Sequence, residues 1–211
     1  MKLEQQLAAQ RQEFELQIKQ FQAKLEEQQR VIIELQADKA KLTADLNPAT
    51  SCVYAGAAIQ WIHIPGTDAF QLPCDSTLPN KPYAIIQRRN RGIVNFDRAW
   101  HEYKNGFGDL QGEFWLGLER LHQLTKFQPH ELLIQLENAV GARLFIRYTN
   151  FSIGNESESY KILTAVPQSG NNNTIEPLKF TTSDRDNDND VDDNCAVDFA
   201  SGWWFNDCYR S

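Results

Sequence analysis

No stretch of this 211-residue chain is apolar for long enough to span a bilayer. The start is no secretory leader either, because Met1-Lys2-Leu3-Glu4-Gln5-Gln6 turns polar at once, with no apolar segment behind it. Positive charge is in deficit, and a formal net charge of −7 argues against nucleic acid as the main partner, since phosphate recognition needs gathered Lys and Arg. The four cysteines form no C-x-x-C pair and have no close histidine to complete a zinc set. Catalytic signatures are absent as well. His63, His101, His122 and His130 are dispersed, no serine lies in a nucleophile elbow, and no glycine loop cradles phosphate. His101 and His122 are expected on helix surfaces. These absences predict a protein that is not an enzyme.

The first 47 residues also lack glycine and proline, and here the absence says what is present. Gln, Glu, Lys, Leu and Ala dominate, all good helix formers. One row of seam positions reads Leu7, Phe14, Phe21, Gln28, Leu35 and Leu42. The other reads Glu4, Arg11, Ile18, Leu25, Ile32, Lys39 and Leu46, and nine of the thirteen are apolar. Spacings alternating by three and four predict a coiled-coil stalk over 1–47, and a homo-oligomer through it. A single amphipathic helix packed on its own globe is the alternative, but a helix of this length would extend roughly 70 Å. Few complementary charges flank the seam, so the oligomer number is weakly specified. Asn47-Pro48 ends the helix, because proline disfavours helical geometry in the residue before it.

From Pro48 onward the texture changes. Gln60–Ile64, Tyr83–Arg88, Leu132–Leu136 and Arg143–Tyr148 read as strands, with weaker ones at Phe151–Ile153 and Tyr160–Leu163. Phe96, Trp100 and Tyr103 share one face of a short helix that Asn105-Gly106 terminates. A second helix is expected over Glu113–Leu124, with Phe114, Leu118, Leu121 and Leu124 as its buried stripe. Residues 167–177 read as a loop. Strands, helices, strands and a loop-rich tail predict an α+β globe over 48–211.

Cys52, Cys74, Cys195 and Cys208 admit two readings, four scattered buried thiols or two sequence-local disulfide loops in an oxidising compartment. Sequons at Asn150, Asn155 and Asn172 are compatible with a secreted glycoprotein. Asp184-Arg185-Asp186-Asn187-Asp188-Asn189-Asp190-Val191-Asp192-Asp193 alternates carboxylates with amides, oxygen chemistry that suits calcium. It is not an EF-hand, and a solvated acidic turn without an ion is the alternative. Trp203-Trp204, beside Cys208, would serve either as core or as the wall of a ligand pocket.

Several of these segments resemble one family. Asn95-Phe96-Asp97-Arg98-Ala99-Trp100-His101-Glu102-Tyr103-Lys104-Asn105-Gly106-Phe107-Gly108 and Gly112-Glu113-Phe114-Trp115-Leu116-Gly117-Leu118-Glu119 are similar to the signature of the fibrinogen C-terminal domain family. Ile86-Gln87-Arg88-Arg89, Phe180-Thr181-Thr182, Asn194-Cys195-Ala196-Val197, Trp203-Trp204 and Cys208 match in order, so the resemblance spans residues 51–211. It implies a globe with a mainly antiparallel sheet and short helices, disulfides Cys52–Cys74 and Cys195–Cys208, and calcium held by Asp186 and Asp188. Carbonyl donors are assigned to Asp190 and Asp192. It also implies a cis Asp207–Cys208 peptide presenting Asp207, Cys208 and Tyr209 to an acetylated or peptide ligand.

In two respects the chain departs from the family. Tyr209 stands where a histidine usually follows this cysteine, and family members continue for some tens of residues past Ser211, so the pocket and globe are expected to be incomplete at the C-terminal end. The function implied is that of an extracellular, lectin-like recognition protein of innate-defence type, multivalent through its stalk, although no signal peptide opens the chain. A structural or receptor-binding protein without sugar affinity is the alternative, and a truncated product that has lost binding is a third.

Overall fold

The structure is a computed structural model that describes residues 2–46, 50–52, 59–77, 82–168 and 177–208, with side chains in the first helix described for 5, 11–36 and 38. The chain divides into two compact units, Met1–Pro48 and Ala49–Ser211. In the first, α1 runs unbroken over Lys2–Leu46, as a stretch without glycine or proline should. Its apolar side chains stand in the open, Phe14 at 65% and Phe21 at 71% exposure. The junction at Asn47-Pro48 lies outside the described residues. No described helix is long and apolar enough to cross a membrane.

The second unit is built on three small antiparallel sheets. The first joins β1 (Ile59–Ile62), β2 (Phe70–Asp75) and β3 (Tyr83–Ala84) in that order. In the second, β6 (Phe114–Trp115) lies between β4 (Gln87–Arg88) and β5 (Phe107–Gly108). A third carries β7 (His130–Glu137), β8 (Arg143–Ile153) and β9 (Ile162–Pro167). Helices α2 (Trp100–Asn105), α3 (Leu118–Phe127) and α4 (Cys195–Asp198) complete the unit.

Several expected bounds shift. The expected strand over Tyr83–Arg88 is split into β3 and β4, and those over Arg143–Tyr148 and Phe151–Ile153 are one strand, β8. Strands β2 and β5 had no counterpart in the sequence pattern. The second helix begins at Leu118 instead of Glu113, because Gly117 holds φ 111°, outside helical geometry for any side-chain-bearing residue. A Cβ there would also lie 2.9 Å from the Lys104 and Asn105 carbonyl oxygens. Phe114 therefore leaves the helical stripe and joins β6, while Leu118, Leu121 and Leu124 are buried along α3 as expected. The loop expected over 167–177 lies almost wholly outside the described residues.

The main core is aromatic. Phe96, Trp100, Tyr103, Trp115, Tyr160, Phe180 and Trp204 pack together, in edge-on and tilted contacts such as Phe180 on Trp204 at 4.9 Å. A second cluster around Ile62, Leu72, Phe114 and Leu116 includes Cys52, which is joined to Cys74 with Cα atoms 5.8 Å apart.

Two polar ties hold the strand-poor segments onto this core. Glu113, 4% exposed, accepts backbone N–H groups from Asn90, Arg91 and Gly92 on one oxygen and from Ile93 and Val94 on the other. The N–H groups of Val94 and Arg91 lead in holding its pKa down at about 2. Tyr103 donates its hydroxyl to the Phe96 carbonyl at 2.6 Å and accepts the Gly202 N–H at 2.8 Å. Burial pushes its pKa up to about 12. Gly202 is required there, since a Cβ would stand 2.7 Å from the Tyr103 ring.

Candidate functional site: the acidic turn and its disulfide loop

Thr181 pairs with Trp203 through two backbone hydrogen bonds, and Thr182 with Arg185 through two more. These fix the start of the acidic turn. Its alternation then resolves into two jobs. Three side chains at odd-numbered positions reach other segments: the Arg185 guanidinium lies 3.9 Å over the Trp100 ring, the Asn187 amide donates to the Phe180 carbonyl at 2.8 Å, and the Asn189 amide donates to Asn206 Oδ1 at 2.7 Å. Even-numbered carboxylates accept the N–H two residues on. Asp186 takes that of Asp188, Asp188 that of Asp190, and Asp190 that of Asp192.

Asp184 stands apart from this run. It accepts the Trp100 N–H at 2.8 Å and the Thr182 hydroxyl at 2.7 Å, linking the turn to the start of α2. Burial opposes its charge, but these two donors win and its pKa is lowered. Asp188 also accepts the Cys195 N–H at 3.0 Å. Burial, reinforced by the neighbouring Asp186 charge, nonetheless raises its pKa above the usual carboxylate range. Asp188 is thus a desolvated carboxylate beside a like charge.

Asn194 caps α4 by accepting the Ala196 N–H at 2.8 Å, and its amide donates to the Thr182 carbonyl. This places Cys195 against Cys208, with Cα atoms 5.0 Å apart in the second disulfide. Among the described residues, one group of three side chains is close enough to share a cation, Asp190 with Cys195 and Cys208. Both sulfurs are spent in the disulfide, so that trio offers a metal one carboxylate. The four aspartates 186, 188, 190 and 192 do not gather their carboxylates in threes within 4.8 Å, and Asp190 turns towards the disulfide, 3.3 Å from the Cys208 sulfur. The Asp186 and Asp188 side chains lie close enough to interact, and carboxylate oxygen is the donor chemistry that calcium takes.

Asp207 is exposed and Cys208 half-buried, while Tyr209 lies outside the described residues. The cis peptide expected at Asp207–Cys208 is corrected, because no described peptide is cis. Trans is the lower-energy isomer for a non-proline bond by about 3 kcal/mol. The chain turns here by taking Cys208 to φ 29°, with its N–H directed at the Cys195 sulfur at 3.1 Å.

A cavity of about 320 Å³ opens on the same loop. Phe96, Tyr103, Trp115 and Phe205 line its buried side, and the exposed Phe199 and Trp203 its outer side, with Arg89 bearing the single charge among the lining residues. Asp207 and Cys208 do not line it. Trp204 belongs to the core and Trp203 to the cavity, so the two readings of the tandem indoles divide between them. Phe199 carried no signal in the sequence and Arg89 entered only through the family resemblance, because their approach to the cavity depends on tertiary packing.

The remaining expected sites are scattered. Asn150 is exposed with φ 53°. Asn155 is exposed but serves as a cap, its Oδ1 accepting the Glu158 N–H and the Ser157 hydroxyl. Asn172 lies outside the described residues. His101 is exposed on α2, whereas His122 is drawn inward, with Nδ1 2.9 Å from the Ile153 carbonyl oxygen.

Comparison with known proteins gives one consistent answer. The sequence pattern described as "Fibrinogen beta and gamma chains, C-terminal globular domain" matches residues 56–211. Angiopoietin-related protein 7 of Mus musculus is 39% identical over 155 residues, covering 69% of this chain and 44% of that protein. Ryncolin-4 of Cerberus rynchops is 39% identical over 142 residues, covering 65% and 41%. The chain thus spans less than half the length of these relatives. Among solved structures, the fibrinogen-like globe domain of human ANGPTL2 superposes with a TM-score of 0.67 at 35% identity, covering 80% of this chain and 77% of that one.

Proposed function

The chain belongs to the fibrinogen C-terminal globular domain family, a family of non-enzymatic domains, and from that premise we propose that it is a secreted, calcium-dependent recognition protein of lectin-like type. Its ligand is an acetylated sugar or a similar surface group, taken at the Cys195–Cys208 loop, where Asp207, Cys208 and Tyr209 and the neighbouring aromatic cavity are the candidate contacts. One observation carries this reading. The Cys195–Cys208 loop lines an aromatic-walled cavity and follows directly on the acidic turn, where Asp188 is desolvated beside Asp186.

Asp186 and Asp188 would hold the calcium, with carbonyls of the following residues, Asp190 and Asp192 among them, supplying further oxygens. Bound there, the ion supplies positive charge that cancels the repulsion within the turn and stiffens the loop. Through the coiled coil of residues 1–47 the binding units act together, and weak single sites gain avidity without any new contact.

Immobilised N-acetylglucosamine tests this directly. The chain is expected to be retained in calcium, to elute with chelator, and to lose retention in Asp188→Asn. Passage through the column in both conditions would favour the second reading, a receptor-binding protein without sugar affinity. The angiopoietin-related relative lends that reading its support.

A further inference from the structure

We propose that a second cavity of the globe, between the β1–β2 turn, the end of α2 and the start of α3, binds an acidic sugar whose carboxylate is held by Arg120. The cavity measures about 820 Å³ and shares no lining residue with the aromatic cavity on the disulfide loop. The two are therefore separate places on one compact unit.

Its outer wall is set by Pro65-Gly66. Gly66 holds φ 86°, and Thr67 donates both its N–H and its hydroxyl to the Ile64 carbonyl, at 3.0 and 2.9 Å. This closes a tight turn that carries Thr67, Asp68 and Ala69 along the cavity. Phe70, the first residue of β2, is buried, and the Arg120 guanidinium sits over its ring at 5.7 Å.

The charges around the cavity do not cancel in pairs. Lys104 is spent on Glu156, across the end of α2. Glu119 is occupied too, accepting the Tyr160 hydroxyl at 2.7 Å and the Gln123 amide at 3.2 Å. Arg120 has one hydrogen bond, from Nη1 to the Leu116 carbonyl at 3.1 Å, and no ion pair among the described residues. Burial lowers its pKa, with no carboxylate acting against the shift. A half-buried guanidinium with unspent donors suits a ligand carboxylate, because the two planar groups join through a pair of parallel hydrogen bonds.

The rest of the wall selects the body of the ligand. His63, Asp68, Asn105 and Gln123 offer both donors and acceptors, while Ala69 and Phe70 add a small apolar strip. A hydroxyl-bearing ring satisfies such a wall, whereas an apolar acid would leave its polar groups unpaired.

Saturation-transfer NMR on the full chain decides the matter, with methyl β-D-glucuronide as probe and methyl β-D-glucoside as its neutral match. Transfer to the glucuronide is expected to exceed that to the glucoside about tenfold, as a charged hydrogen-bonded contact allows, in calcium and in chelator alike. Independence from chelator separates this cavity from the proposed calcium-dependent site. Arg120→Gln is expected to remove the preference, and Arg120→Lys to keep part of it. Should Arg120→Gln fail to fold, Ala69→Trp fills the cavity from the opposite wall and is expected to give the same loss. Equal transfer to both sugars, or a glucuronide signal that neither variant alters, would overturn the proposal. Preference for N-acetylglycine over the glucuronide would overturn the sugar and assign the cavity to a peptide terminus.

Discussion

Glu113 lies almost wholly buried with both oxygens filled by five backbone N–H groups from one loop, whereas Asp186, Asp188 and Asp190 string along a turn and each accepts the backbone N–H two residues on. A buried charge persists where hydrogen bonds satisfy it. Glu113 is saturated and its pKa falls to about 2. Asp188 is desolvated beside a like charge and its pKa rises. The first carboxylate is therefore part of the scaffold, and the second is the one proposed to take a cation. Shifted carboxylates alone do not locate a binding site, because the direction of the shift separates these two roles.

Three experiments would break or sharpen this contrast. Removing Glu113 has the largest expected effect, because Glu113→Ala strands five backbone donors at once. The variant is expected to lose its cooperative near-UV melting transition, with or without calcium. A transition kept near the parent temperature would show that water replaces the carboxylate cheaply. Next, Cys195→Ser with Cys208→Ser opens a short loop and is expected to lower stability by about 3 kcal/mol, read by urea unfolding. If the loop shapes the turn, the calcium-induced rise in Tm should shrink as well. An unchanged calcium response would detach the turn from the disulfide.

The smallest effect on the fold is expected from Asp188→Asn. Without calcium its Tm should be unchanged or slightly raised, while the calcium-induced rise disappears. The pH dependence follows the two directions of shift. Glu113, with a pKa of about 2 in the fold against about 4.3 unfolded, contributes stability above the unfolded value that is lost as pH falls through the folded one. Asp188 runs the other way. Its contribution is present below the ordinary carboxylate range and is lost as pH rises through its raised value. Acid titration of stability in Asp188→Asn should keep the low-pH loss due to Glu113 and remove the opposing slope above it.

Much of this arrangement was legible in the sequence. Unbroken helix formers announced α1, and the three- and four-residue spacings marked its stripe. Leu118, Leu121 and Leu124 declared the buried face of α3, and the alternating aspartates and asparagines announced an acidic turn. What escaped were features set by distant packing. Strands of two residues such as β5 and β6 carry no periodicity, and a positive φ at Gly117 overrode the apolar pattern of Phe114. Glu113 reads as a surface acid until the Asn90–Val94 loop folds over it. The convergence of Phe199, Trp203 and Arg89 on one cavity likewise joins segments more than a hundred positions apart.

The tandem indoles also give the molecule an optical gauge. Of five tryptophans, Trp100, Trp115 and Trp204 are buried and Trp61 is half-buried, while Trp203 stands 36% exposed, its ring 5.3 Å from that of Trp204. A soluble quencher such as iodide reaches Trp203 first and dims the long-wavelength edge of the emission. Whatever settles over the rim of the cavity shields that ring and restores the light, so occupancy can be followed without attaching a dye.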